Sequence, residues 1–199
     1  MRMLRVGLTG SMATGKTTVL NAVADLGIPT HSADEAVHAL YAGEAAPLIE
    51  TAFPGTTAGG VVDRAALAAV LADQPERLGE LESLIHPLVR EMAMAFFDAA
   101  EAAGADMAVV EVPLLFETGA LYGLDKVIVT ACDPEIQRVR ALARPGMTGE
   151  KFAFLLSRQL DQDEKRKRAD VVIDTSGTME ETVARTKAAI ASLRAGNGE

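Results

Sequence analysis

The run Gly10-Ser11-Met12-Ala13-Thr14-Gly15-Lys16-Thr17-Thr18 has the residue types and spacing of a phosphate cradle. It fits G-x-x-x-x-G-K-[ST], with an apolar strand-like run at 5–9 before it and a helix-compatible run at 17–26 after it. Glycines let the backbone curl until its N–H groups converge on phosphate oxygens, and the following helix adds unpaired amides and its positive end. Lys16 can reach the β- and γ-phosphates, and the Thr17 hydroxyl can ligate Mg2+. A glycine-rich turn with an exposed lysine is the bland alternative, but the strand before and the helix after are the setting a nucleoside triphosphate site requires.

Asp34 follows a short strand-like run at 28–30 through His31-Ser32-Ala33. At the carboxyl edge of a parallel sheet, such a carboxylate can orient or deprotonate a hydroxyl acceptor, or hold Mg2+ through water. It can equally serve as the N-cap of a helix that starts at Glu35. Glu111 ends a buried-looking strand, where an acidic side chain is costly unless paired or aimed at a metal. Pro113-Leu114-Leu115-Phe116-Glu117 follows: Pro113 fixes the chain's exit, Leu114, Leu115 and Phe116 can supply an apolar substrate wall, and Glu117 can cap the turn or contact substrate. At least one of those three apolar residues belongs to ordinary core packing.

Arg138, Arg140, Arg144 and Arg158 are the fixed guanidinium donors that phosphoryl transfer demands. Arg140 and Arg144 lie one helical turn apart and would share a face. Pro145-Gly146 breaks that helix before another at 150–159, so residues 140–168 read as a helical lid that can exclude water. A solvated charged hairpin is the alternative, and the Asp161–Arg168 charges read as a solvated face. His31, His38 and His86 have no metal-site spacing; His86, before Pro87, reads as a contact to phosphate or acceptor, or as a buried hinge.

These residues need elements to position them. Apolar runs at 4–8, 107–112, 126–130 and 171–173, with a weak one at 28–30, lack polar alternation and so predict strands buried on both faces. Helical segments between them give an α/β layered sheet with right-handed crossovers. Residues 37–105 offer no convincing buried strand and predict a mostly helical insertion, with 73–76 as a helix start and 83–85 as a turn before a helix opened by His86-Pro87. The core is therefore expected in 1–36 and 106–199. A last helix at 179–193 places Thr182, Val183, Thr186, Ile190 and Leu193 on one stripe, ahead of a frayed tail at 194–199. The net charge of −9 argues against general nucleic-acid binding, and the single Cys132 excludes a disulfide framework. No run is long and apolar enough for a membrane span and no export signal precedes the loop, so a cytoplasmic enzyme, monomeric or weakly homo-oligomeric, is expected.

Taken together the chain resembles the dephospho-coenzyme A kinase family over nearly its whole length. The resemblance rests on Gly7-Leu8-Thr9-Gly10 with the loop through Thr18, Ser32-Ala33-Asp34, Asp63-Arg64 with Leu67, His86-Pro87-Leu88-Val89, Pro113–117, Gln137 with Arg140 and Arg144, Gln159, and 169–174. It implies a P-loop, nucleoside-monophosphate-kinase-like fold with a five-stranded parallel sheet, a helical coenzyme-binding domain and a lid. It implies transfer of the ATP γ-phosphate to the 3′-hydroxyl of dephospho-coenzyme A, the last step of coenzyme A synthesis. By the same resemblance Asp34 is the base and positioning group, Arg140 and Arg144 are lid and phosphate contacts, and His86 contributes to the acceptor site. Asp63, Arg64 and Leu67 then shape the acceptor domain, and Asp174 with the three residues after it lies near adenine. The interior Ser11-Met12-Ala13-Thr14 departs from the family's frequent Gly-Ile-Gly-Ser, and Leu155 stands where an arginine is common. Two rival readings are a kinase of another small acceptor, such as a nucleotide, and a nucleotide-dependent switch.

Overall fold

Valine- and isoleucine-rich runs without polar alternation must be covered on both faces, and the chain does this by returning a helix after nearly every strand. A computed structural model describes residues 2–119 and 122–196. In chain order its elements are β1 (Leu4–Gly10), α1 (Lys16–Ala24), β2 (Thr30–Ser32), α2 (Ala33–Tyr41), α3 (Ala46–Ala52), β3 (Thr57–Ala58), β4 (Val61–Val62), α4 (Arg64–Asp73) and, after one 3-10 turn, α5 (Leu78–Ala102). Then come β5 (Met107–Glu111), α6 (Leu115–Thr118), β6 (Lys126–Ala131), α7 (Pro134–Leu142), α8 (Gly149–Ser157), α9 (Gln162–Lys167), β7 (Val171–Asp174) and α10 (Met179–Gly196).

The five long strands form a parallel sheet in the order β2-β5-β1-β6-β7. Its register sets Leu8 beside Glu111 on one side and Gly10 beside Thr130 on the other, so β1 delivers the phosphate loop at the carboxyl edge, between its two neighbours. That edge is where open α/β sheets bind ligands. Two compact units emerge, Met1–His31 with Phe97–Glu199, and Ser32–Phe96. The first is built on Val6, Leu8, Val19, Val23, Ile128 and Ile190, where α1 and α10 cover the sheet. The second is built on Leu40, Ile49, Phe53, Leu67 and Ile85.

Four expectations change. The helix expected to open at His86-Pro87 is one continuous α5 with Pro87 inside it. Its stripe of Leu81, Ile85, Val89, Ala93 and Phe97 is buried at every turn. Proline in a helix interior costs about 3 kcal/mol, whereas burying even two such side chains returns about that much or more. Burial wins, and His86 lies exposed on the opposite face rather than in a hinge. The helical insertion also contains a small antiparallel hairpin, β3 to β4, turned by Gly59-Gly60. Arg140 and Arg144 do not share a helix face, because α7 ends at Leu142; a residue before proline, here Arg144 before Pro145, is pushed out of the helical region.

Lastly, the expected frayed tail is helical through Gly196, and only residues 197–199 of it lie outside the described residues. Arg194 holds the end down with two bonds to the Asp106 carboxylate, Nε at 2.7 Å and a terminal nitrogen at 3.0 Å. The Arg194 side chain, chiefly through that hydrogen bond, pulls the Asp106 carboxyl below its ordinary value of 3.8. A carboxyl whose folded value is depressed stabilises the fold above its unfolded value and loses that contribution as pH falls through the folded one. Arg194→Ala is therefore expected to lower stability by about 0.5 kcal/mol at pH 7, the scale of an exposed pair. In urea titrations the gap between variant and parent should narrow as the pH falls below 3.8; a gap unchanged in acid would refute the pairing.

Candidate active site

Gly10 ends β1 at a φ of +154°, and a side chain there would place its Cβ 2.6 Å from the Thr130 carbonyl oxygen. Only glycine passes this point. The chain then turns through Ala13, which at φ +60° is the one non-glycine residue with a left-handed backbone among those described. That conformation costs an alanine roughly 1 kcal/mol. Gly15, at φ +84°, caps α1 and leaves the first helical amides free of side-chain caps. The Lys16 ammonium arches back over the loop, 3.0 Å from the Gly10 carbonyl and 3.3 Å from that of Ser11. Thr17 and Thr18 lie in the first turn of α1, and Thr17 is exposed.

Threonines lock this loop to the sheet. The Thr14 hydroxyl lies 2.8 Å from both the Ser11 carbonyl and the Thr130 hydroxyl. The Thr175 hydroxyl donates to the Thr14 carbonyl at 2.8 Å, and Arg140 donates to the Thr175 carbonyl at 2.8 Å. Arg140 thus reaches the loop through the segment after β7. Asp174 ends that strand exposed; the Ser176 backbone N–H, its main cause, and Arg185 hold its carboxyl below the usual range. Arg138, Arg144 and Arg158 are all exposed, Arg158 lying 5.7 Å over the Phe154 ring.

On the β5 side, Glu111 is buried at the strand end, followed by Pro113, whose carbonyl accepts from the Thr9 hydroxyl at 3.3 Å. Leu115 is the core residue of the apolar trio, packed beneath Gly7 of β1. Leu114 and Phe116 are half-buried, with Arg168 5.8 Å over the Phe116 ring. Glu117 turns to the basic run. Its Oε1 accepts from the Leu160 N–H at 2.9 Å and pairs with the Lys165 ammonium at 2.7 Å. Lys165 is fully buried, so the solvated face expected for 161–168 is broken at its centre. A charge run in sequence hides such a residue because its neighbours Arg166, Lys167 and Arg168 do face Asp163 and Glu164 in the exposed manner expected. Removing one partner of a buried pair leaves an uncompensated charge. Lys165→Met is expected to cost about 3 kcal/mol, and adding Glu117→Leu to restore most of it. Chemical denaturation of the four proteins checks this, additive losses being the contrary result.

In the second unit, Asp34 sits in the first turn of α2, inside the helix that Ser32 begins, so its N-cap alternative falls. Its carboxylate is exposed and borders a cavity of about 470 Å³ with Val37, His38, Tyr41, Arg64, Leu67 and Leu81. Arg64 bonds the His38 ring at 2.8 Å and stacks over Tyr41 at 5.4 Å. Burial pushes the Tyr41 hydroxyl up, with Arg64 opposing. Asp63 is committed to capping α4, accepting from the Ala65 and Ala66 amides at 2.9 and 3.0 Å. His86 does not line the cavity.

Thr130, Thr175, Gln162 and Lys165 were not legible as site residues. Each acts through a partner far away in sequence, and none has a local signature. Cys132, buried at the end of β6, has its thiol pushed up by burial, which disfavours the thiolate a nucleophile needs.

The sequence matches the family model CoaE, dephospho-CoA kinase, over residues 4–181. It is 50% identical over 194 residues to the dephospho-CoA kinase of Rhizobium meliloti strain 1021, covering 98% of this chain and 100% of that one. Among solved structures, TT1252 from Thermus thermophilus superposes with a TM-score of 0.81 at 31% identity, covering 96% and 98% of the two chains. The dephospho-CoA kinase of Campylobacter jejuni gives 0.74 at 27%, covering 97% and 98%. With a phosphate loop in place at the edge of a five-stranded parallel sheet, and a family match across nine-tenths of its length, this chain belongs to the dephospho-CoA kinase family.

Proposed function

We propose that the protein phosphorylates the 3′-hydroxyl of dephospho-coenzyme A with ATP, yielding coenzyme A and ADP. The loop geometry, with a lysine folded back over a helix start that no side chain caps, is the observation that carries the ATP half of the reaction. Amides of residues 13–18 with Lys16 hold the β- and γ-phosphates, and Arg140 and Arg144 neutralise charge on the transferring group. The Thr17 hydroxyl suits Mg2+, which keeps most of its shell as water and phosphate oxygen and so needs no carboxylate cluster; none of three or more is found among the described residues. Bound there, the ion would neutralise phosphate charge, with Glu111 as an outer carboxylate through water.

Asp34 takes the proton of the 3′-hydroxyl as that oxygen bonds to the γ-phosphorus, while the bond to the ADP oxygen breaks. The cavity beside it suits the coenzyme: Leu67, Leu71 and Leu81 offer apolar surface and Arg64 a cation for the coenzyme's anionic groups. Asp63 serves this pocket by fixing the start of α4. The segment from Asp174 receives adenine, and residues 140–168 act as the lid. No described helix is long and apolar enough to cross a membrane, and we place the enzyme in the cytoplasm, where ATP and its acceptor meet.

The test supplies Mg2+, ATP and, in separate reactions, dephospho-coenzyme A, AMP, CMP and shikimate. A gain of one phosphoryl group on dephospho-coenzyme A, at least a hundredfold faster than on the others, is expected; equal or faster transfer to another acceptor would overturn the assignment.

A further inference from the structure

Met12 is gripped on both sides of its peptide. Its N–H donates to the Gln159 side-chain oxygen at 2.9 Å, and its carbonyl accepts from the Gln137 side-chain nitrogen at 2.8 Å. Gln137 is almost wholly buried and passes the hold onward. Its oxygen accepts from Gln162 at 2.9 Å, and the Gln162 oxygen accepts from the Cys132 N–H at 3.0 Å. Backbone groups fix both ends of this relay, a donor at Cys132 and an acceptor at Met12, so its two amides can point only one way, and the Met12 N–H orients the Gln159 amide likewise. The neighbour of the gripped residue is Ala13, whose left-handed backbone a side chain disfavours.

We propose that Gln159 and Gln137 are positioning residues for phosphoryl transfer, clamping the Met12 peptide so that the strained turn at Ala13 stays in its phosphate-receiving form. Neither touches the reacting atoms in this role. Without the clamp, Ala13 relaxes toward right-handed conformations and the loop must be reordered by each nucleotide that binds. Apparent affinity falls by the fraction of loops left competent. Glycine at this position reaches the left-handed region freely, so it should need the clamp far less. The inference rests on the ATP-binding reading above, but its first readout needs no nucleotide.

Gln159→Leu, chosen because Gln159 is only half-buried, is compared with the parent, with Ala13→Gly and with the double variant. Hydrogen exchange of the Met12 amide in the nucleotide-free protein should accelerate at least tenfold in Gln159→Leu. KM for MgATP should rise about tenfold and kcat by less than threefold downward. In the Ala13→Gly background the same change should raise KM by threefold or less. Gln137→Glu, which presents an oxygen to the Met12 carbonyl in place of a donor, should reproduce the exchange effect. An unchanged exchange rate, an equal KM penalty in both backgrounds, or a fall in KM would each overturn the proposal; the last would mean that Gln159 occupies a donor meant for phosphate. Were exchange to accelerate as expected while the parent transferred no phosphoryl group, the clamp would stand and the ATP reading would fall.

Discussion

Lys16→Ala is expected to retain roughly a thousandth of the parent's phosphoryl-transfer rate. Charge develops on the oxygens around the transferred phosphorus, and a fixed cation there is worth far more in a closed site than in water; loss of one such donor commonly costs two to three powers of ten. In the free protein the ammonium rests on the Gly10 and Ser11 carbonyls, already arched over the space phosphate would fill. Folding should be nearly unaffected, because the lysine stem is only half-buried. Lys16→Arg should recover little, since a planar fork cannot replace a compact ammonium inside the same turn. Steady-state rates with dephospho-coenzyme A, read beside thermal melting, decide the matter. A loss smaller than tenfold in a folded Lys16→Ala protein would contradict the cradle.

Asp34→Asn should lower kcat by about two to four powers of ten, the usual yield of a positioned base. Affinity for ATP, measured by equilibrium titration, should stay within a few fold. The two effects separate because Asp34 belongs to the acceptor's hydroxyl rather than to the triphosphate. Its carboxylate is exposed beside the cavity, and among the described residues no hydrogen bond or ion pair engages it, so it is free to receive a proton. Asparagine keeps the shape and the ability to accept one hydrogen bond but has no basic oxygen. An unchanged kcat would remove Asp34 from the chemistry. A fall in ATP affinity that matched the fall in kcat would instead make it part of the nucleotide site.

What the sequence discloses and what it hides follow from how far each interaction reaches along the chain. The phosphate loop is legible because all its parts lie between Gly10 and Thr18, and its strand and helix flank it directly. The strands at β1, β5, β6 and β7 are legible because a sheet covered on both faces leaves continuous apolar runs. The weakest of the expected strands, β2, lies two residues later than expected. Pro87 is the clearest failure of a local rule. The proline speaks for a helix start, yet the four-residue spacing of Leu81, Ile85, Val89 and Ala93 speaks for one helix through it, and the buried stripe decides.

Within the site, residue type and position mark the loop and leave Asp34 open between base and helix cap, while the groups that grip the loop carry no such mark. Lys165 is one of four consecutive cations, and only the fold reveals that it alone is buried against Glu117. Gln137 and Gln159 carry no charge and no periodic signal; their grip on Met12 bridges more than a hundred residues of chain. Asp63 reads as a pocket residue, but its carboxylate oxygen is taken up by the start of α4. Chemistry-bearing residues are marked by type. Their supports are marked only by packing.

The most direct trial follows the phosphorus atom itself. The protein, Mg2+ and ATP labelled at the γ-phosphate are incubated with dephospho-coenzyme A, and the product is examined by 31P NMR with proton coupling. The account requires the label in a new phosphomonoester coupled to the ribose H3′. Label recovered only as inorganic phosphate, or attached at the 2′-oxygen, would contradict it.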